Sequence, residues 1–187
     1  MDDIRKILEE CQAVLKGHFL LSSGLHSDTY FQMALVFQRP ECGQRCSRLL
    51  AEKLAGFNFS AVIGPALGGI ILAYELGRLL GLRAMFAERE AGVMSLRRGF
   101  SLKPGEPVLI CEDVITTGGS VKEVMELVRK HQACPEAVAC LVQRGQVDLG
   151  LPLFSLLQVK VNQYRPEECP LCQQGLALVK LGSRGLR

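Results

Sequence analysis

Between Ala61 and Val161, short, wholly apolar runs alternate with longer stretches of helical period, and that rhythm constrains the fold more than any other feature of the chain. Ala61-Val62-Ile63 runs into Gly64-Pro65, and Leu67 to Leu80 has helical spacing up to Gly81. Arg83 to Ala87 reads as a second strand and Val108 to Cys111 as a third, separated by a polar, Gly- and Arg-rich stretch from Glu88 to Pro107. Ser120 to His131 is helical, Ala137 to Val142 a fourth strand, and Phe154 to Val161 a last one. Strands without a polar alternate position are buried on both faces. The pattern therefore predicts an α/β fold, an open and mostly parallel sheet with helices on both faces.

Residues ahead of that core read differently. Ile4, Ile7, Leu8, Cys11, Val14 and Leu15 recur at helical spacing through residues 3–15, and Gly17 is expected to stop that helix. His18 to Phe31 reads as two short strands about Ser22-Ser23-Gly24. A second helix is expected over 41–55, ended by Gly56. The expectation is one domain over 1–187, with an N-terminal helix and hairpin cap (1–35), a core (60–165) and an irregular tail (166–187) broken by Pro166, Pro170 and Gly175. With 187 residues, 48% of them hydrophobic, such a chain buries a core without cross-links.

The net charge is only +3 and no basic-aromatic stripe occurs, so a nucleic-acid partner is not expected. The most apolar stretch, Ala61 to Ala73, is short and broken by glycines, which argues against a membrane span. Nothing at the start reads as a targeting segment, and a cytoplasmic setting is expected. The eight cysteines are then free thiols. Cys42/Cys46 and Cys169/Cys172 each have the spacing of half a zinc site, and together they would make four thiolates. Their distance in sequence argues against that pairing and favours ordinary core or surface thiols.

The chemistry concentrates in Val108-Leu109-Ile110-Cys111-Glu112-Asp113-Val114-Ile115-Thr116-Thr117-Gly118-Gly119-Ser120. An apolar strand ends in two carboxylates, a turn of hydroxyls and glycines follows, and a helix begins. Ligands of parallel sheets bind at the carboxyl ends of strands. Gly118 and Gly119 let the backbone approach an anion, and N–H groups at the start of the next helix point at it. Thr116, Thr117 and Ser120 add donors, making a phosphate cradle without a lysine. Glu112 and Asp113 suit the vicinal hydroxyls of a sugar attached to that phosphate. A capped helix with no ligand would need only one such residue, not two acids, three hydroxyls and two glycines.

This segment resembles the diphosphoribosyl-binding motif of type I phosphoribosyltransferases. His18-Phe19-Leu20-Leu21-Ser22-Ser23-Gly24-Leu25-His26-Ser27 followed by Tyr30-Phe31 is similar to the N-terminal signature of the orotate phosphoribosyltransferase family. Gly64-Pro65-Ala66 is similar to that family's first diphosphate-contacting loop, and Val142-Gln143-Arg144-Gly145 to its base-contacting strand end. The resemblance implies a type I phosphoribosyltransferase-like fold. It also implies transfer of ribose 5-phosphate from phosphoribosyl diphosphate to orotate, giving orotidine 5′-monophosphate and diphosphate in pyrimidine biosynthesis. A homodimer is implied as well, and Mg2+ held through diphosphate and water rather than by direct protein ligands.

By the same resemblance the segment Glu112, Asp113, Val114, Ile115, Thr116, Thr117, Gly118, Gly119 and Ser120 binds phosphoribosyl diphosphate. Thr116 to Ser120 would take the 5-phosphate, and Glu112 and Asp113 the ribose hydroxyls. Thr116 and Arg144 would meet orotate, with Tyr30 and Phe31 flanking its ring. Asp113, Glu112 and Arg89 form the implied catalytic set. Arg89 lies in residues 86–100, which correspond to a mobile loop that closes over the neighbouring subunit's diphosphate. This loop has no lysine or histidine, and Gly68 and Ser22 stand where many members carry lysine. Arg97 and Arg98 either supply the missing charge or belong to a solvated hairpin. His26 is expected as a turn residue, and His131 as a helix C-terminal charge. Two other readings remain at this level: transfer to a purine base, and a non-catalytic sensor of phosphoribosyl diphosphate.

Overall fold

The computed structural model describes residues 3–21 and 23–181. Asp3 accepts a hydrogen bond from the Arg5 backbone N–H (3.0 Å) and starts α1 (Ile4–Glu10). The helix expected over 3–15 ends there. Gln12 turns the chain with φ +51°, and Val14 and Leu15 open β1 (Val14–Leu20), with Gly17 inside the strand. Their spacing suits a helix, but the antiparallel ladder to β2 (His26–Phe31), with Val14 opposite Phe31, decides the outcome. His26, expected in the turn, is a strand residue. A short helix the sequence did not announce, α2 (Ala34–Phe37), leads into α3 (Pro40–Lys53), close to the expected 41–55.

The central sheet follows. β3 (Ala61–Pro65) leads to α4 (Gly68–Leu80), which ends at Gly81 in the left-handed conformation (φ +69°). β4 (Arg83–Glu90) and β5 (Val93–Leu96) form an antiparallel hairpin around Ala91 and Gly92, both at positive φ, in the stretch where the sequence offered either a mobile loop or a solvated hairpin. β6 (Pro107–Ile115), α5 (Gly119–Lys130), β7 (Cys134–Arg144) and β8 (Leu153–Val159) complete it. The strand order is β5-β4-β3-β6-β7-β8, parallel throughout except for β4/β5.

Side chains of β6 show why both faces need helices. Leu109 and Cys111 join the core formed with α1, α3 and α4, whereas Val108 and Ile110 join the core under α5. Unlike the expected four-residue strand, β6 does not stop at Cys111. β7 runs long beside it, pairing Glu112 with Cys140 and Ile115 with Gln143, so the two acids lie within the ladder rather than in a loop.

The tail is less irregular than expected. β9 (Gln163–Tyr164) adds to β2, a 3-10 turn (Pro166–Glu168) follows, and α6 (Pro170–Gln173) carries Cys172. Val179 then returns to β1, its N–H donating to the His18 carbonyl (2.8 Å) and its carbonyl accepting from Leu20 (2.9 Å). The four-thiolate pairing does not form. Cys42 and Cys46 are packed in the core under α3, with Cys42 beside Cys11, whose thiol is pushed up to about 11 by burial and by Cys42. Cys169 and Cys172 have His18 and His26 for neighbours instead. Among the described residues no helix is long and apolar enough to cross a membrane.

Candidate active site

The chain leaves β3 for β4 on one side of the sheet and returns to β6 on the other, so the carboxyl ends of β3 and β6 flank the point where strand order reverses. That crevice is where open parallel sheets take ligands. Two loops converge there. A methyl group on Gly68, at the start of α4, would collide with the Asp113 carboxylate at the end of β6. Gly64 and Gly69 are equally close, since a Cβ on Gly69 would lie 2.9 Å from Gly64 Cα. The lysine that the resemblance leads one to look for at position 68 has no room while Asp113 keeps this place.

Asp113 Oδ1 accepts a hydrogen bond from the Val114 N–H (2.8 Å). Burial nevertheless raises its carboxyl above the ordinary value, and its charge helps burial to raise the Tyr30 phenol. Beyond the acids Ile115 is fully buried and Val114 packs against the core, so their side chains anchor the segment and only their backbone is left for a ligand. Gly118 is required twice over. It sits at φ +75°, and a Cβ there would come within 2.9 Å of Leu149. Gly118, the N-cap of α5, makes no side-chain capping bond, and the positive end of the helix dipole follows directly on Thr116 and Thr117.

Arg144 closes the other side. It is 4% exposed at the end of β7, and one terminal nitrogen donates to Ser27 Oγ (2.9 Å) and to the Thr29 carbonyl (3.3 Å). Its Nε is buried with no partner, and no described carboxylate forms an ion pair with it. Burial lowers the guanidinium's pKa, opposed by Tyr30 and Asp28. Arg144 lines a cavity of about 450 Å³ together with Thr116, Thr117, Gly145, Lys160 and Gln163. A buried cation lacking an anion is costly unless one arrives with the ligand. The wall is thus suited to a small anionic molecule beside the hydroxyls of Thr116 and Thr117.

The structure brings Glu112, Asp113, the Thr116–Ser120 turn, Arg144 and Tyr30 to this end of the sheet, and leaves others elsewhere. Tyr30 is half-buried with its ring 5.7 Å from that of Phe19. Phe31 points to the opposite face of β2 and is buried in the main core, so it cannot flank a ligand as expected. Arg89 is held by Glu123 of α5 (2.5 Å) and by the Gly92 carbonyl (3.0 Å), and does not line the cavity. Arg98 pairs with both carboxylate oxygens of Glu88, and Arg97 with Glu90 (3.3 Å), as in a solvated hairpin. His131 caps the C-terminal end of α5. Ser22 lies outside the described residues.

Sequence reasoning missed Ser27 and Thr29 as the groups that orient Arg144, although Ser27 falls within the N-terminal signature. It also missed Lys160 and Gln163, which no local pattern marks.

A phosphoribosyl transferase domain family matches residues 35–149. The chain is 54% identical over 187 residues to an orotate phosphoribosyltransferase of Caldanaerobacter subterraneus, covering 99% of this chain and 98% of that protein. To one of Pelotomaculum thermopropionicum it is 55% identical over 185 residues, 98% of this chain and 97% of that one. The crystal structure of orotate phosphoribosyltransferase from Aeropyrum pernix superposes with a TM-score of 0.74 at 28% identity, over 83% of this chain and 93% of that chain.

Proposed function

The chain belongs to the orotate phosphoribosyltransferases, and from that membership we infer how its own residues transfer ribose 5-phosphate from phosphoribosyl diphosphate to orotate, yielding orotidine 5′-monophosphate and diphosphate. The observation that carries the residue assignment is Arg144, a buried guanidinium with an unpartnered Nε on the wall of a cavity shared with Thr116 and Thr117. Orotate brings the carboxylate that this arrangement lacks. Transfer to a purine base would leave the guanidinium without an anion, and relatives at this identity are orotate enzymes, so neither that reading nor a sensor is favoured.

Within this reading the uncapped start of α5 and the hydroxyls of Thr116, Thr117 and Ser120 hold the 5-phosphate. Glu112 and Asp113 hold the ribose hydroxyls, and Tyr30 and Arg144 place the pyrimidine. Diphosphate departs as the C1–O bond breaks, and N1 of orotate bonds to C1 while its proton leaves with the diphosphate. Positive charge gathers on the ribose ring in between, next to the two carboxylates. The residues therefore act by positioning and electrostatics rather than as nucleophiles.

Among the described residues no set of three acids converges on this loop, and a two-acid site suits Mg2+ that keeps its waters and arrives with the diphosphate. Bound in that way, Mg2+ would neutralise the departing charge.

A homodimer fits the outward face of α4, where Leu67 (69% exposed), Ile71 (47%) and Tyr74 (62%) form an apolar stripe at helical spacing. It would also give Arg89 a route to a neighbouring site that it lacks within its own chain. Free cysteines are consistent with a cytoplasmic setting.

The test is consumption of candidate bases with phosphoribosyl diphosphate and Mg2+. Orotate is expected to be consumed and purines left untouched. Turnover confined to a purine, or binding of the sugar donor without turnover of any base, would overturn the reading.

A further inference from the structure

Four side chains outside the active site converge where the tail meets the N-terminal hairpin. His18 comes from β1, His26 from β2, and Cys169 and Cys172 from the Cys-Pro-Leu-Cys run that opens α6. Their donor atoms all lie within 4.8 Å of one another. His18 Nε2 is 2.9 Å from His26 Nδ1, 3.5 Å from Cys169 Sγ and 3.7 Å from Cys172 Sγ, and Cys172 Sγ is 3.4 Å from His26 Nδ1. We propose that His18, His26, Cys169 and Cys172 form a structural zinc site that fastens the tail to the hairpin.

The distances match the chemistry. A tetrahedron with zinc–sulfur bonds of about 2.3 Å and zinc–nitrogen bonds of about 2.05 Å has sulfur–nitrogen edges of about 3.6 Å, and the three measured edges bracket that value. The nitrogen–nitrogen edge is about half an ångström shorter than ideal, a difference that a small ring rotation absorbs. His18 Nδ1 lies 2.8 Å from the Leu176 carbonyl. A carbonyl only accepts, so Nδ1 carries the proton and Nε2 turns its lone pair toward the cluster, the arrangement that orients metal-bound histidines. Two thiolates and two neutral imidazoles suit Zn2+, and four protein ligands leave no open position for catalysis. Binding releases one proton from each thiol.

Burial gives the site a purpose. From Arg165 to Leu181 the only buried side chain is Cys169, so the hydrophobic effect does little to hold this segment down. Two backbone hydrogen bonds at Val179 and the His18–Leu176 bond remain, and a metal bond set would supply the rest. The hairpin it fastens carries Ser27 and Thr29, which aim Arg144 into the orotate pocket.

The experiment uses the full chain, untagged and purified under reducing conditions without chelator. Elemental analysis is expected to find about one zinc per chain, and Co2+ exchange to give the visible bands and thiolate charge-transfer absorption of a tetrahedral sulfur–nitrogen site. Cys172→Ser, at an exposed position, is expected to keep the wild-type circular dichroism while zinc retention falls by roughly tenfold or more. A chelator should lower the melting temperature of the wild type and leave that of the variant unmoved. Wild-type chain with no bound zinc would overturn the proposal. So would zinc retained equally by the variant, Co2+ spectra without the thiolate band, or a metal-free hydrogen-bonded cluster indifferent to chelator.

Discussion

Arg144→Met separates a binding group from a structural one. The methionine retains most of the buried volume but removes the guanidinium, and with it the donations to Ser27 Oγ and the Thr29 carbonyl. It also removes a buried Nε that has no partner. Losing two hydrogen bonds is unfavourable by about 1 kcal/mol each, while relieving a buried unsatisfied donor returns about 1–3 kcal/mol. The two effects nearly cancel, and the net change in stability should stay within about 1 kcal/mol. Binding has no such offset. A charge-assisted bond to the orotate carboxylate contributes about 1.5–3 kcal/mol, so KM for orotate should rise roughly 10- to 150-fold while KM for phosphoribosyl diphosphate holds. Orotate consumption and a thermal melt on the same preparation measure both. A melting temperature several degrees lower with orotate KM unchanged would refute the reasoning and make Arg144 a structural cation.

Three further outcomes follow from the site. Asp113→Asn should keep the fold and cut kcat at least about tenfold by steady-state assay. Burial raises this carboxyl above its ordinary value of 3.8, so the folded chain holds the proton more tightly than the unfolded one and loses stability as pH rises through the raised value. The variant should therefore melt above the wild type near neutral pH, with the gap closing as pH falls below the ordinary value. Arg89→Ala should lower kcat and leave KM for orotate alone. The loss of its partly exposed bond to Glu123 should change stability by less than about 1 kcal/mol, and an unchanged kcat would assign Arg89 to the hairpin only. Ile71→Glu, on the exposed face of α4, should convert a dimer to monomers in sedimentation analysis without lowering the melting temperature of the monomer.

Legibility followed the range of the forces involved. β3, α4, α5 and the glycine turn were readable because apolar runs, helical period and positive-φ demands are local. The ends of β6 and β7 were not, because each strand is prolonged by the ladder the other offers. Val14 and Leu15 have helical spacing and became strand through pairing with residues after the turn. In the site, the acids and the hydroxyl-glycine turn stood out as a contiguous pattern. The orientation of Arg144 by Ser27 joins positions 117 apart, and His18 meets Cys169 across 151, distances at which single-chain patterns are silent. Phe31 was misplaced because adjacency to Tyr30 in sequence means opposite faces in a strand.

The two-sided wiring of β6 sets how this enzyme can change. Substitutions at Val108, Leu109 or Ile110 trade one apolar shape for another and leave the acids where they are. Deleting a single residue there would exchange the two packing faces and carry Asp113 away from Gly68 to the other side of the sheet. Insertions and deletions are thus barred from this stretch, while loops such as Ala91-Gly92 have latitude, and variation among descendants should accumulate in length there and in side-chain identity here.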